Sequence, residues 1–81
     1  MTYIFPDYPR IMVDPEICFG KPCIKGTRMP VTSLLSYLSG GMGIDELLKE
    51  FNWLTREDVL QAISFAAVMV DYRVLPMKKV S

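Results

Sequence analysis

Histidine is absent from this sequence, and that narrows its chemistry at once. A zinc site wants four ligands, mostly cysteine and histidine, and one chain offers only Cys18 and Cys23. Acid–base catalysis would fall to a tuned carboxylate or lysine, and a cysteine or serine nucleophile would lack its usual imidazole. No enzyme, cofactor or metal is therefore expected. Net charge is lacking too: nine lysines and arginines balance nine acids, so there is no overall basic field of the kind that marks many nucleic-acid binders. The longest apolar stretch, Ala62 to Val70, falls far short of the roughly 20 residues that span a bilayer. The opening MTYIFPDYPR has neither the basic start nor the apolar core of a secretory leader. A cytoplasmic location is expected, away from membranes and with both cysteines reduced.

Apolar residues, by contrast, are abundant at 51% of 81 residues. A chain of this size buries only about 60% of the surface its unfolded form exposes. The apolar surplus predicts that part of it is covered by another chain, either a second copy in a homodimer or a permanent partner. Charge is patterned although it sums to zero. Lys21, Lys25 and Arg28 share residues 20–28 with no acid, whereas residues 43–72 set Lys49 and Arg56 against six acids, a net of −4. The tail is basic again, with Arg73, Lys78 and Lys79.

With no repeat or linker, residues 1–81 read as a single domain. Residues 1–9, with two prolines, read as an N-terminal arm, and residues 10–31 as a β/loop element. In that element RIMV (10–13) is one short strand, and RMPV (28–31) a second, weakened by Pro30. Residues 31–72 read as three helices, and residues 73–81 as a basic tail. Val31, Leu34, Leu35 and Leu38 form the first apolar stripe, stopped by Gly40-Gly41, and Ile44, Leu47, Leu48 and Phe51 form the second. The third helix opens on a capping box, Thr55 with Asp58, and its predicted core face is Val59, Ile63, Ala66 and Val70, widened by Leu60 and Ala67. Phe65, Val68, Met69 and Tyr72 on its far side are then expected to meet a partner. The fold class expected is mainly α: a short N-terminal β element followed by a three-helix bundle. The three-residue connection at 52–54 is of helix-turn-helix length, though an ordinary αα-corner would share it.

Helix-turn-helix geometry would put the third helix in a major groove. Arg56 could then pair with guanine and Gln61 with adenine while Thr55 meets a phosphate, and Lys21, Lys25 and Arg28 would contact the backbone. The same residues equally suit the wet face of an amphipathic helix and a solvated turn. GKPCIKGTR lacks the spacing of a phosphate-binding loop. Its glycines and prolines suit a scaffold loop, and Arg28 is expected to tie that loop to an acid such as Asp14.

DPEICFGKPCIKGTRMPV, followed by GIDELLKEFNWLTREDVLQAISFA, resembles the domain-of-unknown-function 433 family, whose small bacterial and archaeal members read D-P-x-x-x-x-G-K-P-x-I-x-G-T-R-[IM]-P-V and later L-T-x-E-D-[VI]. The first pattern falls here on Asp14, Pro15, Gly20, Lys21, Pro22, Ile24 and Gly26 through Val31. The second falls on Leu54, Thr55, Glu57, Asp58 and Val59. The resemblance implies a homeodomain-like helical domain and an antitoxin of VapB-like type. Such a protein would silence the RNA cleavage of a PIN-like toxin and, as a dimer, repress its own promoter DNA. It brings no catalytic residues with it. Relatives often carry a second glycine where Phe19 stands, which implies a less mobile loop here. Two main readings follow: a DNA-binding antitoxin and autorepressor, or a protein-interaction module that never touches DNA. A metal or redox role for Cys18 and Cys23 ranks third.

Overall fold

The two prolines near the N-terminus shape a hairpin instead of loosening an arm. In the computed structural model, which describes residues 2–71 and 76–79, strand β1 (Tyr3–Phe5) turns through Pro6 and Asp7 into strand β2 (Tyr8–Val13). The pair is antiparallel, with Tyr3 opposite Val13, Ile4 opposite Met12 and Phe5 opposite Tyr8. Its register jumps between Ile4 and Phe5, so residues 9–11 bulge away from β1. Pro9 thus stands where the β1 ladder needs no donor. Strand β3 (Cys23–Ile24) pairs with the other edge of β2, Ile24 opposite Ile11 and Cys23 opposite Met12.

The expectation of a mainly α, helix-turn-helix bundle is overturned. The chain is a small α+β fold, a three-stranded antiparallel sheet with three helices. The β1–β2 hairpin is local but is masked by Pro6 and Pro9, and β3 is two residues long and pairs with β2 across the intervening loop, so no local window announces it. The second strand expected at 28–31 is not one either. Pro30 makes only an isolated bridge to Cys23 and then becomes the N-cap of the first helix.

The helices start and stop where their punctuation puts them. Helix α1 (Val31–Ser39) ends at Gly40, and Gly41 at φ +104° lets the Met42 amide reach back to the Tyr37 carbonyl at 3.2 Å. Helix α2 (Ile44–Glu50) opens with Glu46 accepting the Gly43 amide, and helix α3 (Arg56–Val70) with the reciprocal Thr55–Asp58 box, at 3.2 and 2.9 Å. One core joins sheet and helices through Ile11, Ile24, Leu34, Leu47, Val59 and Phe65.

Helix α3 is rotated from the orientation its pattern suggested. Its buried residues are Asp58, Val59, Ala62 and Phe65, and Phe65 packs on Phe5 and Tyr8 with ring centroids 4.9 and 5.5 Å away. Leu60, Ile63 and Val70, expected inside or flanking the core, are instead 51%, 40% and 68% exposed. The hairpin supplies the reason: it adds an aromatic wall that only the 58–62–65 face can reach. Phe65→Ala should therefore lower stability by about 3 kcal/mol or more, whereas Ile63→Ala should cost under about 1, as read by urea denaturation.

Candidate functional site

The Asp14–Pro30 segment is a fixed scaffold around a tight turn. The Ile24 carbonyl accepts both the Thr27 amide (3.0 Å) and the Thr27 hydroxyl (2.8 Å), and the Met29 amide returns to that hydroxyl at 3.0 Å. Gly26, at φ +78°, supplies the left-handed residue the turn needs. Asp14 is occupied elsewhere, accepting the Glu16 amide and the Thr2 hydroxyl, each at 2.9 Å. Those bonds, the amide's first, hold its carboxyl below the usual range. The expected Arg28–Asp14 tie is thus not formed, and Arg28, Lys21 and Lys25 are exposed and take part in no ion pair among the described residues.

Strain marks the tip of this segment. Cys18 and Phe19 both lie in the left-handed region, at φ +53° and +56°, followed by Gly20 at +77°. Phe19 receives no packing in return, being 97% exposed. Cys23 is buried and Cys18 half-buried, and both are free thiols. Burial, and then the neighbouring Cys18, push the Cys23 thiol up to about 12, so it stays protonated and unreactive near neutral pH. Cys18 donates to the Arg28 carbonyl at 3.3 Å. Among the described residues no group of three or more metal-ligating side chains comes together.

The start of α3 is enclosed by Arg10. The guanidinium reaches Asp58 (2.9 Å), Glu57 (2.7 Å) and the Thr55 hydroxyl (3.4 Å), while the Arg10 amide, freed by the bulge in β2, donates to the Gln61 side-chain carbonyl at 2.7 Å. The Asp58 hydrogen bond leads the effects that raise the Arg10 pKa above its ordinary value. Arg56 pairs with Asp45 of α2. Arg56 and Gln61, the residues expected at base edges, and Thr55, expected at a phosphate, are therefore each bound within the chain.

Two concave surfaces flank these elements. One is an open cleft of about 730 Å³ lined by Met12, Ile17, the Lys25–Arg28 turn and Trp53. The other is a shallow apolar groove of about 290 Å³, with Pro22, Thr32 and Leu35 facing Ala66, Met69 and Val70. Of the expected partner face, Val68 and Met69 are exposed, Phe65 lies in the core, and Tyr72 lies outside the described residues. The face the sequence reading missed is Leu60, Ile63, Ala67 and Val70. Its 3-4-3 spacing is visible in the sequence, where periodicity places it at the core.

Two measurements probe this arrangement. Gln61→Ala should cost about 1 kcal/mol by orphaning the Arg10 amide, and Arg56→Ala less than about 0.5, because its ion pair is exposed. Phe19→Gly should raise stability by about 0.5–1 kcal/mol in thermal melts, because it removes left-handed strain and forfeits no packing.

Residues 11–66 match the family model described as Protein of unknown function (DUF433). The crystal structure of a DUF433 member protein from Anabaena variabilis ATCC 29413 is similar, with a TM-score of 0.73 and 32% identity over 78% of this chain. The likeness covers 62% of that protein, so this chain spans less than two thirds of its length. No curated protein matches the chain. The family match runs from buried Ile11 in β2, through the whole scaffold loop, to Ala66 in α3, and the chain therefore belongs to the DUF433 family.

Proposed function

We infer that this chain is a protein-interaction module that pairs through the outward face of α3. One observation carries the reading: α3 has two apolar faces, and only one is used. Val59, Ala62 and Phe65 pack into the core, whereas Leu60, Ile63, Ala67 and Val70 form an exposed flank in contact with solvent, Val70 at the rim of the groove beside Leu35. Their spacing of three, four and three residues is that of the a and d positions of a helix–helix seam. A helix with such a stripe exposed on so small a domain gains most by laying it against a like stripe. A second copy of this chain supplies one, and two-fold pairing brings the same patch to both sides.

The antitoxin role that the sequence resemblance implies is of the same kind, since holding a PIN-like ribonuclease is work for protein surface. Promoter recognition through the start of α3 would ask more. Glu57, Asp58 and Gln61 would have to leave Arg10, and Arg56 would have to leave Asp45, before any of these side chains could face a base edge. The interaction reading requires none of these bonds to break.

Sedimentation tests the pairing directly. The parent chain should be dimeric at about 100 µM, and Ile63→Glu and Val70→Glu, both at exposed positions, should yield folded monomers with unchanged helical circular dichroism. A monomeric parent, or variants that stay paired, would remove α3 as the interface.

A further inference from the structure

The cleft beside the Lys25–Arg28 turn combines features that neither the helix seam nor the core explains. Trp53 is 51% exposed, a large apolar area to leave in water, yet it is not loose. Phe51 meets it edge-on with ring centroids 5.7 Å apart, and Tyr37 backs Phe51 at 5.2 Å. The indole is thus braced from one direction and open from another. Lys25 and Arg28 line the same cleft, exposed and without ion-pair partners among the described residues.

The charges around this edge are arranged so that those cations stay uncompensated. The Lys25 amide bonds the Arg10 carbonyl at 2.7 Å, so Lys25 lies next to the residue whose side chain already engages Glu57 and Asp58 and offsets one of their two charges. Among the described residues no acid lines the cleft. The turn carrying the cations is held by the three Thr27 bonds, and Gly26 leaves open space where a side chain would project. Little ordering remains to be done when a ligand arrives.

We propose that this cleft binds single-stranded nucleic acid, with a base stacked on Trp53 and neighbouring phosphates at Lys25 and Arg28. An aromatic platform beside a basic edge is the chemistry of sequence-tolerant strand binding, because every base has a π-face and every linkage a charge. A duplex keeps its bases stacked on one another and offers the platform none. The apolar lining from Met12 and Ile17 suits a base better than a second charge. The site depends on neither the pairing of α3 nor the identity of any protein partner.

Trp53 is the only tryptophan, so its fluorescence reports the site alone. The full chain would be titrated with thymidine and uridine oligomers of about twelve nucleotides, at two salt concentrations. Saturable quenching that weakens as salt rises is expected with either oligomer. In anisotropy with labelled oligomer, Trp53→Leu should weaken binding about tenfold. A Lys25→Gln, Arg28→Gln double variant should flatten the log–log salt dependence by about 1.4, which is 0.7 for each lost phosphate contact. Thermal melts of each variant confirm that it is folded. Absence of quenching at low salt would overturn the proposal. So would equal quenching by duplex DNA, by a polyglutamate peptide or by mononucleotide at matched phosphate, or a double variant that keeps the parent's affinity and salt slope.

Discussion

The attachment of Arg10 to α3 is the constraint on which the rest of this structure depends. One residue joins three elements: its side chain closes on Thr55, Glu57 and Asp58, its amide on Gln61, and its carbonyl on the Lys25 amide. The bulge in β2 makes this possible, because an amide in regular pairing with β1 would not be available to a side chain of α3. Asp58 is buried and would be costly alone, but it receives the Thr55 amide and the Arg10 guanidinium, one on each carboxylate oxygen. The same carboxylate therefore caps a helix and fastens that helix to the sheet.

That fastening decides which way α3 faces. With the 58–61 edge turned to β2, the helix presents Ala62 and Phe65 to the hairpin aromatics, and Leu60, Ile63, Ala67 and Val70 must point away. The outward stripe is thus a geometric consequence of the Arg10 contact. It also changes the meaning of the acidic excess in the helices. Glu57 and Asp58 are matched by Arg10 from the sheet, and Asp45 by Arg56, so half of the six acids between 43 and 72 already have partners. What looked like a field hostile to anions is in part the inner bonding of the fold.

The punctuation of the helices is legible in the sequence, and the pairing of the strands is not. The Thr55–Asp58 box, the stop at Gly40-Gly41 and the start after Pro30 depend on neighbours a few residues apart, and each stands where its residues indicated. The strand at 10–13 is visible in the sequence, but its partners are not. Pro6 and Pro9 argued against pairing, and only the turn at 6–7 and the register jump beside Pro9 reconcile them with a hairpin. Without the hairpin, nothing chooses between the two apolar faces of α3. Periodicity alone accordingly places the stripe at 60, 63, 67 and 70 in the core and Phe65 against a partner. Trp53 gives no local signal for a related reason: its exposure depends on how the α2–α3 connection lies against the scaffold turn.

The strained tip at Cys18 and Phe19 bears on how firmly that turn is held. Two successive non-glycine residues in the left-handed region cost about 1–2 kcal/mol each, and the chain recovers none of it by burying Phe19. The conformation persists because its surroundings over-determine it. The Gly20 amide bonds the Ile17 carbonyl, the Lys21 amide bonds the Cys18 carbonyl, and the Cys18 thiol reaches the Arg28 carbonyl. Through that last bond the strained tip is coupled to the basic turn. The strained tip and the backbone that carries the cation are thus hydrogen-bonded into one structural unit.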